Sequence, residues 1–125
     1  MVILDTCAII EAFKPSPSFS TKTAKLIDMG AYILSISFAE IACKVKIGKL
    51  EMNTSARDLF HEFKQIERIE IINIGANEWL NSIELAWEQN RDPADRVITA
   101  FALKKELSIV TTDKSIKKFY KKVIW

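Results

Sequence analysis

The sequence predicts an α/β fold on a central, mainly parallel sheet of about five strands, and three observations predict it. Short apolar, β-branched runs alternate with segments of helical period, which makes right-handed crossovers and parallel pairing the economical topology. Acids recur at one kind of place: Asp5, Glu40, Asp95 and Asp113 each follow the carboxyl end of a strand or lie in the first turn of the helix after it. The stretch Asp92–Asp113 shows the repeating unit most clearly. Asp92 and Pro93 open a helix with Asp95 in its first turn, Val97, Ile98, Phe101 and Ala102 form its apolar face, Lys104 and Lys105 close it, and the strand Leu107–Thr111 ends at Asp113.

Taken in order, Val2–Leu4 is a minimal buried strand ending at Asp5, and Thr6–Phe13 is a short helix stopped by Pro15. Thr21–Met29 is a helix ended by Gly30, and Ala31–Ser35 is the second strand. Ser37 and Glu40 have the spacing of a capping box, which starts a helix that runs to Gly48. Ser55 and Asp58 repeat that spacing and open a helix with Leu59, Phe60, Phe63 and Ile66 facing inward. Ile69–Ile74 alternates only in part, as expected nearer a sheet edge. Asn77–Gln89 reads as one amphipathic helix with Trp79, Leu80, Ile83, Ala86 and Trp87 inward, the tryptophans serving as core. Ser115–Tyr120 is a last short helix and Val123–Trp125 a last strand.

At 125 residues with 49% hydrophobic content, residues 1–125 are expected to form a single domain with one core. No charged-then-apolar leader and no apolar run near the roughly 20 residues a bilayer requires is present, so the expected location is cytoplasmic, with no membrane partner. Cys7 and Cys43 have no metal-ligand spacing, so neither a disulfide nor a zinc site is expected. His61 lies on an exposed helix side and carries no chemistry. The net charge of +2 hides an asymmetry: with four of the 16 acids set aside in one pocket, 18 basic residues face 12 acidic ones, a balance suited to a polyanion.

In a parallel sheet the carboxyl ends of the strands lie on one edge, so Asp5, Glu40, Asp95 and Asp113 are expected to converge there. Each one alone reads equally well as a helix cap, and Asp58, with the capping signature but no preceding strand, is read as structural. Converging carboxylates raise one another's pKa and repel, and a divalent cation compensates. An all-oxygen set without His or Cys selects a hard ion, Mg²⁺ or Mn²⁺. Such an ion lowers the pKa of bound water and stabilises a phosphoryl oxygen, so phosphodiester hydrolysis is the natural reaction. Thr6, Ser37, Thr111 and Thr112 stand beside the acids and are the candidates to hold them or their waters.

The segments LDTCA at Leu4–Ala8, SFAEI at Ser37–Ile41, DPADR at Asp92–Arg96 and TTD at Thr111–Asp113 resemble, in order and spacing, the PIN-domain nucleases, and among them the VapC-type toxins. The resemblance covers nearly the whole chain. It implies a three-layer α/β/α sandwich, Mg²⁺- or Mn²⁺-dependent endoribonuclease activity, and a cognate antitoxin that blocks the site. It also implies that Asp5, Glu40, Asp95 and Asp113 are the metal-binding acids and that Asp92 is an accessory acid. Cys7 stands where Asn, His or Ser is frequent.

A pocket of acids that acts on a polyanion needs cations at its rim, and Lys44, Arg96 and Lys114 are the candidates for holding substrate. The helices Thr6–Phe13 and Ser55–Ile66 are candidates for a groove that takes an antitoxin segment, or for a homodimer face. No GxxxxGK[ST] or GxGxxG is present, which excludes nucleotide cradles, and a strand ending Ile74-Gly75-Ala76 excludes a phospho-receiver. The rival reading is a catalytically inactive module of the same fold that binds RNA or a protein partner.

Overall fold

The computed structural model describes residues 1–125. Its sheet is entirely parallel, in the order β3-β2-β1-β4-β5, formed by β1 (Val2–Leu4), β2 (Ala31–Leu34), β3 (Ile69–Ile72), β4 (Ser108–Val110) and β5 (Val123–Ile124). Val2 lies opposite both Ala31 and Ser108, so β1 is the central strand. The chain fills one side of β1 with β2 and β3, then crosses to the other side for β4 and β5. That reversal opens a crevice at the carboxyl ends of β1 and β4.

Alternation along the strands divides the core. Val2, Leu4 and Ile33 point to one face, where they pack with Ile9, Phe38, Ile41 and Leu59. This face is covered by α1 (Thr6–Ala12), α2 (Thr21–Asp28), α3 (Ile36–Lys46) and α4 (Ala56–Lys64). Ile3, Leu34 and Ile109 point to the other face, against Val97, Ile98, Phe101 and Ile116. That face is covered by α5 (Ala76–Ile83), α6 (Pro93–Lys105) and α7 (Lys114–Phe119), which completes the three layers. No helix is long and apolar enough to cross a membrane. Both cysteines are free.

Three elements depart from expectation. The helix expected over Asn77–Gln89 ends at Ile83, and Leu80 and Ile83 are 60% and 72% exposed instead of buried. Beyond that point the chain follows Arg96, whose guanidinium donates to the carbonyls of Ser82, Ile83, Leu85, Trp87 and Asn90 where helical pairing would otherwise continue. Trp87 still reaches the core, stacked on Phe119 at 4.7 Å, but from a loop. Ser37 is not a cap. The helix begins one residue earlier, at Ile36, and Ser35, the residue before it, uses its hydroxyl to accept from the backbone N–H of Ile74, so it makes no capping bond to the helix. The third strand stops at Ile72, two residues short of the expected Ile74. Ser55 caps α4 as expected, accepting from the N–H of Asp58.

Candidate active site

At the crevice, each strand end hands its acid to the helix that follows. Asp5 caps α1: Oδ1 accepts from the N–H of Thr6 at 2.7 Å, and Oδ2 accepts from the Thr111 hydroxyl at 2.6 Å. Thr111 Oγ1 in turn accepts from the N–H of Asp113 at 3.0 Å, so one hydroxyl ties the end of β1 to the turn after β4. Asp113 caps α7, with Oδ1 accepting from the N–H of Ile116 at 2.8 Å. Asp92 caps α6, accepting from the N–H of Asp95 at 3.0 Å. Glu40 lies one turn into α3 and forms an ion pair with Lys44 at 3.7 Å.

These side chains open onto one cavity of about 230 Å³. Its walls carry Asp5, Glu40, Asp92, Asp95 and Asp113, joined by Thr6, Cys7, Thr112 and Lys44. The structure thus brings the four expected acids together and adds Asp92 to the wall. Thr111 lies behind the wall and acts through Asp5. The Cys7 sulfur sits among hydroxyls, 3.4 Å from Thr111 Oγ1 and 3.7 Å from Thr112 Oγ1.

Two of the carboxyls show the electrostatic stress of this gathering. Burial raises Asp5 above the usual carboxylate range, against the hydrogen bonds from Thr111 and Thr6, with Glu40 and Asp113 adding repulsion. Burial pushes Asp95 up to about 7, opposed by the Asn90 amide and reinforced by the charges of Asp92, Asp113 and Asp5.

Three expected site residues lie elsewhere. Arg96 is not a rim cation, because its guanidinium faces the backbone carbonyls of the loop after α5. Ser37 is fully buried with a hydroxyl that has no partner, and it does not reach the cavity. Lys114 is exposed at the start of α7, outside the cavity wall. Asn90 joins the site without being among the residues expected there. It is 8% exposed, its amide donates to Asp95 Oδ2 at 2.9 Å and to Ser115 Oγ at 3.0 Å, and its Oδ1 accepts from the N–H of Asp92 at 2.8 Å. Only the loop shaped by Arg96 places Asn90 there, so no local spacing signals it.

The donor set suits a hard divalent cation: five carboxylates and hydroxyls with Cys7 the one sulfur beside them, no imidazole, and a buried Thr6 Oγ1 with no hydrogen-bond partner. No three acidic, His or Cys side chains are close enough to form a closed cage as they stand. Mg²⁺ does not require one, since it keeps several waters and is held by one or two carboxylates. A second cavity of about 260 Å³, lined mostly by apolar side chains, among them Phe19, Ile27, Phe63 and Ile66, offers no comparable chemistry.

The sequence profile of the PIN domain matches residues 2–122. Among curated proteins, none matches the chain. The fold is shared with a toxin-antitoxin complex from Klebsiella pneumoniae, at TM-score 0.64 and 18% identity over 100% of this chain and 97% of that one. It is shared with VapBC2 from Rickettsia felis bound to a DNA fragment from its promoter, at TM-score 0.67 and 20% identity over 100% and 98%. FitAcB from Neisseria gonorrhoeae is similar at TM-score 0.58 and 21% identity over 100% and 97%.

Proposed function

Because this chain belongs to the PIN-domain family, we propose that it is a divalent-cation-dependent endoribonuclease and the toxin of a toxin–antitoxin pair. The observation that carries the reading is the set of five carboxylates on one cavity at the topological switch point, with Asp95 raised to about 7. The toxin reading is supported by the similar structure from Klebsiella pneumoniae, which is a toxin-antitoxin complex.

Asp5, Glu40, Asp95 and Asp113 would hold the Mg²⁺ or Mn²⁺ ion. When bound there, the ion supplies charge neutralisation at a phosphoryl oxygen and a water of lowered pKa. Asp5, with both oxygens fixed by Thr6 and Thr111, is the rigid member of the set. Asp95 has Oδ2 held by Asn90, and burial with the neighbouring carboxylates makes its charge costly until a cation compensates it. Lys44, paired with Glu40 at the wall, is the cation placed to meet a substrate phosphate.

A binding-module reading has one observation in its favour: Asp5, Asp92 and Asp113 all cap helices, a purely structural use. The decisive experiment incubates the purified chain with single-stranded RNA under Mg²⁺, Mn²⁺ or chelator. Cleavage that requires the ion and disappears in Asp95→Asn supports the nuclease. Absence of cleavage together with no heat of Mn²⁺ binding in calorimetry supports the module.

A further inference from the structure

The last dozen residues, Lys114–Trp125, contain five lysines and no acid. Lys114, Lys117 and Lys118 recur at the spacing that puts side chains on one face of α7, and Lys121 and Lys122 continue past its end. All five are exposed, while Ile116 and Tyr120 turn inward. None takes part in any of the three ion pairs of the chain. The only acceptors that Lys121 and Lys122 reach are the carbonyls of Lys118 and Glu106, which leave their charge in place.

Lysines at two other helices, α1 and α3, are paired instead. Lys14 is paired with Glu11 on α1, and Lys44 with Glu40 on α3, the mixed pattern of an ordinary solvated face. Lysines of one sign spaced a turn apart repel, so α7 keeps an arrangement that disfavours its own helix. The row starts beside Asp113, an acid of the cavity wall, and leads away from it.

We infer that the lysine row of α7 is a track for the phosphate backbone of single-stranded nucleic acid, guiding the strand to the acid cavity. The inference rests on the reading of that cavity as a site acting on RNA. The row extends on the order of 15 Å from the rise per residue of helix and extended chain, room for several phosphates. Phe119 is occupied by Trp87 and Tyr120 is buried, so no aromatic platform is offered to bases. The track therefore binds without reading sequence.

The test measures binding of an unstructured 12-nucleotide RNA to the full chain carrying Asp95→Asn, across a salt series at fixed Mg²⁺. Beside it stand a variant that adds Lys117→Ala, Lys118→Ala and Lys121→Ala and one that adds Arg at the same three positions. Loss of three phosphate contacts should flatten the slope of log affinity against log salt by about 2, at roughly 0.7 per contact on a single strand, and the arginine variant should keep the slope. Cleavage of a dinucleotide by the otherwise native chain should be unchanged by the three alanines. An unchanged slope, no RNA binding above background, or equally tight lysine-dependent capture of polyglutamate would each overturn the track. A chain that binds RNA through these lysines but never cleaves it would keep the track and remove the nuclease; cleavage with an unchanged slope would do the reverse.

Discussion

Asn90 holds Asp95 directly: its amide donates to Asp95 Oδ2 at 2.9 Å, while its own Oδ1 is fixed by the N–H of Asp92 at 2.8 Å. A buried amide thus joins both acids at the start of α6 and reaches Ser115 on α7. Asn90→Ala should weaken divalent-cation affinity by about 10- to 100-fold, as loss of an outer hydrogen-bond partner does. It should also destabilise the fold by about 1–3 kcal/mol, since the N–H of Asp92 loses its acceptor. Calorimetric Mn²⁺ titration and urea denaturation read the two effects separately. Unchanged Mn²⁺ affinity would reduce Asn90 to a loop residue.

The raised pKa of Asp95 fixes the sign of a pH effect. An unfolded Asp titrates near about 4 and the folded one at about 7, so the folded state binds the extra proton between those values. In chelator, stability should therefore be greatest in acid below about pH 4 as far as this group is concerned, fall as pH rises, and level off above about 7. After allowance for partial exposure the drop is ~2 kcal/mol. Asp5, also raised, acts in the same direction. Urea midpoints at pH 5 and pH 8 test this, and Asp95→Asn should remove most of the difference. Mn²⁺ favours the ionised carboxylates and should restore stability at pH 8. Asp58→Asn, on a helix away from the cavity, should alter none of these quantities.

Arg96→Ala should destabilise the protein by about 2–4 kcal/mol, because the carbonyls it gathers after α5 lose their donors together. Arg96→Lys should recover little, since an ammonium lacks the planar five-donor fork. The salt dependence of RNA binding should be the same in the folded Arg96→Lys protein as in the parent. A flattened slope would return Arg96 to the substrate path.

Thr111→Val keeps the shape of a buried side chain but removes the donor to Asp5 Oδ2 at 2.6 Å and the acceptor of the Asp113 N–H. Loss of this charge-assisted bond should cost about 1.5–3 kcal/mol at neutral pH. The cost should shrink in acid, where Asp5 is protonated. Equal losses at pH 4 and pH 8 would show that the hydroxyl is only packing.

What the sequence disclosed was what local chemistry decides. The apolar runs at Val2–Leu4 and Ser108–Val110, and the caps at Asp5, Asp92 and Asp113, depend on neighbours within a few residues. The all-parallel sheet and the meeting of the acids on one edge follow from those elements in that order. Asn90, Arg96 and Ser35 were illegible for the opposite reason. Each takes a partner from another helix or a loop distant in sequence: Ser35 from Ile74, Arg96 from Ser82 and Leu85, Asn90 from Ser115. Ser37 and Glu40 had the right spacing for a capping box, but the end of β2 at Leu34 sets the helix start at Ile36, with no side-chain cap.

The placement of β4 beside β1 bears on when the acid cavity is completed during synthesis. The Thr111–Asp5 bond joins residues 106 positions apart, and Asp113 follows it. A growing chain that still lacks β4 has Asp5 without its fixed hydroxyl and a crevice open on one side, however well α1–α5 have formed. Contacts of such long range form late. A chain that stops before β4 therefore lacks both Thr111 and Asp113, and with them the group that fixes Asp5 and one acid of the cavity wall.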